Sequence, residues 1–365
     1  MGDGYDVVVC TDCGAGYADK IPSQAEMDRY YANQSKYTND QTNGIESPWD
    51  IKRFEETADQ IIPFLKTHDT RILDIGCATG GLLSVFAKRG FINLTGVDPS
   101  PGCAALAGRL HDLDVKVATL AQLSNWRARF DLIMMVGVLE HLHKVKEAVG
   151  IVSRLLSPGG VIYCAVPDVE GLAACRNAAY QQFSIEHVNF FSRSSLGRVM
   201  MECGMTEIHA WRWTVEWREA VNEPIVSVLC KIGGIRAKGP FDCITGPALE
   251  RYLAFSAKED RNILVIIDSL VRKQEAILVW GAGTLARRLL ATTRFSEANI
   301  VAFVDSNTRY QGQTLAGRSI LSPRAIGDRK EPILICSVPF AKEIVCAIRK
   351  QYRISNRVIT FAKEH

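Results

Sequence analysis

Short, nearly continuous apolar runs separated by stretches of helical spacing organise the middle of the chain. Runs at 72–75, 94–97, 115–118, 131–136 and 161–166 are dominated by Ile, Val, Leu and Met. Strands of that kind are covered on both faces, and their alternation with helices predicts a parallel, doubly wound α/β sheet of Rossmann-like form. A helix over 190–204 and a returning strand in "PIVSVLCKI" follow. Ahead of this region, the first 70 residues read as a short β-turn unit and then helices. In "SQAEMDRYYANQSKY", Ser23 stands three residues before Glu26, the spacing of a helix-opening capping box. In "WDIKRFEETADQIIPFLKTH", Ile51, Phe54, Ile61, Phe64 and Leu65 recur at helical intervals. "GGIRAKGPFDCITGP" is rich in Gly and Pro and reads as a linker over 233–247. A long helix is predicted over 248–275, then a second strand–glycine turn–helix unit from Ile277, with strands at 301–304 and 333–336. The expected organisation is an N-terminal cap unit (1–70), a Rossmann-like domain (71–232), the linker, and a second Rossmann-like domain (248–365).

Composition narrows the class. At 365 residues the chain is long for one core, and 47% apolar with 23% charged residues describes a folded globular protein. A net charge of +3 without a basic block argues against a nucleic-acid partner. "MGDGYDVVVC" carries no charged-then-apolar leader, and no apolar run reaches membrane-spanning length, so a cytoplasmic location away from membranes is expected. The eleven cysteines are scattered through core-like segments as small buried hydrophobes. Cys10 and Cys13 in "VCTDCGAGY" are the exception. They have the geometry of a zinc knuckle, but it is half a site with no second pair nearby, and no metal is assigned to the chemistry.

The chemistry concentrates first in "LDIGCATGG". Asp74 lies on a strand, Gly76, Gly80 and Gly81 form the turn into a helix, and Asp98 ends the next strand. Glycines allow close backbone approach, and an acid at that position can accept from ribose hydroxyls. The spacing is G-x-x-x-G, not the G-x-G-x-x-G of a dinucleotide fingerprint. With "VDPS", "FDLIMMVGVLEHL" (130–142) and "LSPGGVIYCAVP" (156–167) following in order, the chain resembles the class I S-adenosylmethionine-dependent methyltransferases. The resemblance implies that Gly76 and Gly80 pack against the cofactor, that Asp74 lies near its amino-acid end, and that Asp98 holds the ribose. The family usually has an acid after the third strand for the adenine; here Thr119, Leu120 and Gln122 stand in that region.

"FSIEHVNFFS" is the candidate acceptor segment. His187 is suited to be a general base and Glu186 could raise its basicity; the alternative is that both cap the helix starting near Ser192. Taken with the flanking units, the order of segments resembles the sugar C-methyltransferases, which methylate a carbon beside the keto group of a nucleotide-activated sugar. That resemblance implies a catalytic role for Glu186 and His187 and a nucleotide-sugar partner. Ser184 stands where that family has a tyrosine. Tyr30, Tyr31 and Tyr37 are candidate walls over the ligands. An O- or N-methyltransferase of another small molecule remains open. So does a reading from a different class, an NAD-dependent oxidoreductase or a non-catalytic nucleotide-sugar-binding protein, resting on Gly281, Gly283, Ala286 and Asp305 in the second glycine turn. With no second half to complete a dinucleotide site, that unit is expected to frame the acceptor and not to bind NAD.

Overall fold

The computed structural model describes residues 5–34, 44–175, 177–184, 186–219, 221–234 and 236–361. They form two compact units, one from the described residues of Met1–Arg176 and Gln182–Tyr252, the other from those of Asn177–Gln181 and Leu253–His365.

In the first unit a hairpin of β1 (Asp6–Val9) and β2 (Gly16–Asp19) precedes α1 (Gln24–Gln34) and α2 (Pro48–Ile61). The capping spacing at Ser23 is realised: Glu26 Oε2 accepts from its backbone N–H and its hydroxyl at 2.8 and 2.7 Å. Helix α2 opens on Pro48 with a reciprocal capping box between Ser47 and Asp50. Parallel strands β3 (Ile72–Ile75), β4 (Leu94–Asp98), β5 (Val115–Val117), β6 (Phe130–Val136) and β7 (Leu156–Pro167) alternate with α3 (Gly81–Lys88), α4 (Pro101–His111) and α5 (Val145–Ser153). After them come β8 (Asn189–Phe190), α6 (Arg193–Glu202), β9 (Met205–Arg218) and β10 (Val221–Ile232). The strand order is β5-β4-β3-β6-β7-β10-β9, with β10 antiparallel to both neighbours.

Strand alternation feeds two cores. Leu73, Ile133, Met135 and Ile162 pack with residues of α5 and α6, while Ile72, Leu132, Met134 and Tyr163 pack with residues of α2 and α3. Each such buried side chain contributes about 1.5–3 kcal/mol, which is why the central strands read as continuous apolar runs. Strand β9 is not legible in that way. It is the sheet edge, and Thr206, Glu207, Ile208 and His209 are all exposed.

Two long-range ties shape the functional edge. Strand β2 pairs antiparallel with β8, setting Gly16 opposite Phe190 and Tyr17 opposite Asn189. The stretch 233–247, expected as a linker, is stitched into the first unit. Asp242 is buried, its N–H donates to Cys13 O (2.8 Å), and its carboxylate accepts from Ser192 and Thr245 hydroxyls at 2.7 and 2.6 Å. One buried acid satisfies polar groups from three segments, overriding the local Gly/Pro signal. The boundary between units falls later, within α7 (Thr245–Lys273).

The second unit continues through β11 (Ile277–Trp280), α8 (Thr284–Thr292), β12 (Ile300–Val304), β13 (Thr314–Leu315), β14 (Arg318–Leu321), β15 (Ile333–Ile335), α9 (Ala341–Cys346) and β16 (Val358–Thr360). Its sheet runs β13-β14-β12-β11-β15-β16, parallel except for β13. The fold is the expected α/β arrangement with two Rossmann-like sheets. No helix among the described residues is long and apolar enough to cross a membrane.

Gly14 tests the tie at Asp242. Its φ is +78°, and a Cβ there would lie 1.9 Å from Asp242 O. Gly14→Ala is expected to cost about 2–4 kcal/mol, from left-handed strain plus overpacking. Chemical denaturation measures this, and an unchanged midpoint would mean that the contact contributes nothing.

Candidate active site

The turn from β3 into α3 is left-handed at Gly76 (φ +73°), Ala78 (φ +48°) and Gly80 (φ +82°). Asp98, at the end of β4, holds it in place. One carboxylate oxygen accepts from Ala78 N–H and the other from Ser100 N–H, both at 2.9 Å. Burial raises the Asp98 pKa, and these two backbone donors oppose the rise. Asp74 lies in β3 between Gly96 of β4 and Met134 of β6 and is buried. Its pKa is pushed up to about 8, first by burial and then by the charge of Asp98. Glu46 completes an acidic lining, accepting from Thr79 (3.3 Å) and pairing with His111 Nε2 (2.8 Å). A cation-bearing ligand is what two adjacent buried carboxylates accommodate, because it offsets the charge they otherwise suppress by holding a proton. The structure thus brings Asp74, Gly76, Gly80 and Asp98 together. Thr119 and Gln122 are engaged in a capping box on a short 3₁₀ turn (Leu120–Asn125).

The loop after β6 meets this turn directly: a Cβ on Gly76 would lie 2.8 Å from Val138 Cγ2. The same loop holds Glu140 and His141, and it is locked to the Glu186–His187 segment. Val188 N–H donates to Glu140 O (2.8 Å), and Asn189 Nδ2 donates to Leu139 O (3.1 Å) and Leu142 O (2.7 Å). His141 Nδ1 lies 2.7 Å from Glu186 O. The His141 and His187 rings sit 5.1 Å apart, and a ligand atom from each of Glu140, His141 and His187 falls within 4.8 Å of the others. Two Glu–His dipeptides, in "VLEHL" and "SIEHV", therefore converge.

The Glu186 carboxylate accepts from Tyr30 OH at 2.6 Å. Tyr31, beside it on α1, packs edge-on to His141 at 5.7 Å, and its buried hydroxyl has no hydrogen-bond partner among the described residues. Burial raises the Tyr31 pKa, helped by Glu186 and Glu140. Ser184 Oγ accepts from Glu186 and His187 N–H at 3.3 Å each. Glu140 and His141 escape a reading based on motifs alone; the repeated Glu–His dipeptide is the signal that could have found them. Tyr37 lies outside the described residues.

Comparison with known proteins bears on the same region. Residues 49–210 match the family described as "Methyltransferase domain". This part of the chain is thus similar to methyltransferase domains. Residues 273–360 match the family described as "C2185-like, N-terminal". Curated relatives include ubiquinone biosynthesis O-methyltransferases. That of Methylocella silvestris is 34% identical over 100 residues, covering 26% of this chain and 39% of the relative. That of Rhizobium rhizogenes is 33% identical over 123 residues, covering 32% and 48%. The chain thus spans less than half the length of these relatives. Among solved structures, the Burkholderia thailandensis 1,6-didemethyltoxoflavin-N1-methyltransferase, with its substrate and S-adenosylhomocysteine bound, is similar with a TM-score of 0.45. It is 19% identical, and the match covers 61% of this chain and 98% of that one.

The remaining expected sites are placed as follows. Cys10 and Cys13 sit in a tight turn, Gly14 N–H donating to Cys10 O at 2.8 Å, and both are free thiols. Among the described residues they belong to no group of three metal-ligating side chains. In the second unit, Asp305 accepts from Ala282 and Asn307 N–H at 2.8 Å each, the arrangement that Asp98 makes in the first.

The raised pKa of Asp74 has a stability consequence. Between the ordinary carboxylate value and about 8, the folded chain holds a proton that the unfolded chain has lost, so stability falls as pH rises through that window. Asp74→Asn is expected to raise the melting temperature at pH 7–8, with the gain shrinking toward pH 4. Thermal melts across pH decide this, and a gain independent of pH would remove the explanation.

Proposed function

We propose that the chain is an S-adenosylmethionine-dependent methyltransferase acting on a small molecule, with a nucleotide-activated keto-sugar methylated beside its carbonyl as the acceptor. The observation that carries this reading is the meeting of the acid-lined glycine turn with the histidine cluster, Val138 pressed against Gly76. Asp74, Gly76, Gly80 and Asp98 would hold the cofactor, whose sulfonium supplies an electrophilic methyl group. The residues of the chain then have two tasks: to align the acceptor and to assist loss of its proton. His187 is assigned the second, with Glu186 and Tyr30 fixing the loop that carries it. The second Rossmann-like unit is assigned to acceptor recognition. O-methylation is the second reading, favoured by the curated relatives' names as O-methyltransferases; loss of a hydroxyl proton would replace loss of a C–H proton.

Calorimetry with S-adenosylhomocysteine tests the cofactor half. Binding should tighten as pH rises toward 8, because the ammonium group of the ligand's amino-acid end, placed beside Asp74, favours the ionised carboxyl and releases its proton. Asp98→Ala should weaken binding by about 1.5–3 kcal/mol. A folded Asp98→Ala chain with undiminished affinity would take Asp98 out of the site.

For the acceptor half, His187→Ala is expected to lower kcat by about 10²–10⁴-fold with S-adenosylhomocysteine affinity unchanged. With a keto-sugar in deuterated water, the parent chain should exchange the proton beside the carbonyl and the variant should not. Wild-type exchange and methylation by the variant would return His187 to a structural role.

A further inference from the structure

We propose that Glu140, His141 and His187 bind one divalent transition-metal ion, and that the assistance given at His187 is delivered through that ion. Its binding is independent of the methyl-transfer reading; only its catalytic role rests on it.

The first support is the ring orientation of His141. Its Nδ1 lies 2.7 Å from the Glu186 carbonyl oxygen, which can only accept, so Nδ1 carries the hydrogen. In the neutral ring Nε2 then bears a lone pair, and it faces Glu140 Oε1 across 3.9 Å. A lone pair directed at a carboxylate is unfavourable unless positive charge lies between them. A backbone carbonyl fixing the remote ring nitrogen is also the usual way a metal-ligating histidine is oriented.

The second support is spacing. Zinc-sized ions hold His nitrogen and carboxylate oxygen at about 2.0–2.2 Å, so two ligands of a tetrahedral ion lie about 3.4 Å apart. The 3.9 Å pair is about half an ångström wider than that. The full set, within 4.8 Å, closes with side-chain shifts of about 1 Å. Two imidazoles and a carboxylate suit zinc, cobalt, manganese or iron(II) and not magnesium or calcium, which prefer all-oxygen sets.

Third, the cluster is built from within. Glu140 is only 3% exposed, and both loops are tied by backbone and Asn189 hydrogen bonds, so the donors are held before any ion arrives. The Tyr31 ring packs edge-on to His141, and its hydroxyl is buried without a hydrogen-bond partner among the described residues. Three protein ligands leave open positions, as catalytic sites do. An ion there would act as a Lewis acid on an acceptor oxygen, acidifying its hydroxyl or the C–H beside its carbonyl.

The test uses the untagged full chain, stripped with a chelator and titrated with zinc and, separately, cobalt(II). One equivalent should bind per chain, with cobalt giving the visible absorption of a nitrogen- and oxygen-ligated site. Glu140→Gln, His141→Ala and His187→Ala should each weaken binding more than about tenfold. A Cys10→Ser, Cys13→Ser double variant should retain it. S-adenosylhomocysteine binding by each variant reports folding and the cofactor half separately. Three results would overturn the site: no stoichiometric binding, which would leave an imidazolium–carboxylate pair at His141; binding that survives all three ligand substitutions; or loss confined to the cysteine variant with sulfur-to-cobalt absorption. If binding succeeds while S-adenosylhomocysteine fails to bind the parent chain, the metal site stands and the methyl-transfer reading falls.

Discussion

The site at the sheet edge depends on a small set of hydrogen bonds that join the loop after β6 to the segment around β8. Asn189 donates to the carbonyls of Leu139 and Leu142, and Val188 donates to that of Glu140. These are carbonyls at a helical turn, which must find partners when buried. By satisfying them from one short strand, the chain sets two Glu–His dipeptides side by side, though they are 46 residues apart in sequence. Strand β2 anchors that short strand in turn, so the N-terminal hairpin supports the arrangement of the two dipeptides.

A different constraint governs the cofactor half. Asp74 and Asp98 are neighbouring acids with little access to water, and their environments treat them differently. Asp98 has two backbone donors to offset its burial, whereas the charge of Asp98 adds to the burial of Asp74. The pair is therefore asymmetric, one acid committed to holding the turn and the other sensitive to whatever charge arrives beside it.

Much of this architecture is legible in the amino-acid sequence. The central strands announce themselves because burial on both faces demands continuous apolar runs, and the glycine turn because left-handed backbone demands glycine. Asp74, Gly76, Gly80 and Asp98 stand out as a spatial group for that reason. Edge strand β9 does not, since half-exposed strands carry mixed residues such as Glu207 and Arg212. Asp242 hides the true extent of the first unit, because a single buried aspartate with four partner residues leaves no periodic trace. The partnership of Glu140 with His187 is equally silent. It is created by pairing between loops, and no local pattern records which loops pair.

The matched behaviour of Asp98 and Asp305 bears on how such sequences are mined. Each acid ends or directly follows the second strand, in chain order, of its Rossmann-like sheet, and each takes one N–H from the glycine turn and one from two residues ahead. The acid thus works as a latch for the turn in both units, although only Asp98 lies in the stretch that matches the methyltransferase family. A search that scores this position as a nucleotide ligand is scoring architecture first. Specificity has to be sought in the neighbouring strand, where Asp74 supplies an ionisable carboxyl and the equivalent stretch of β11, Ile-Leu-Val-Trp, has none.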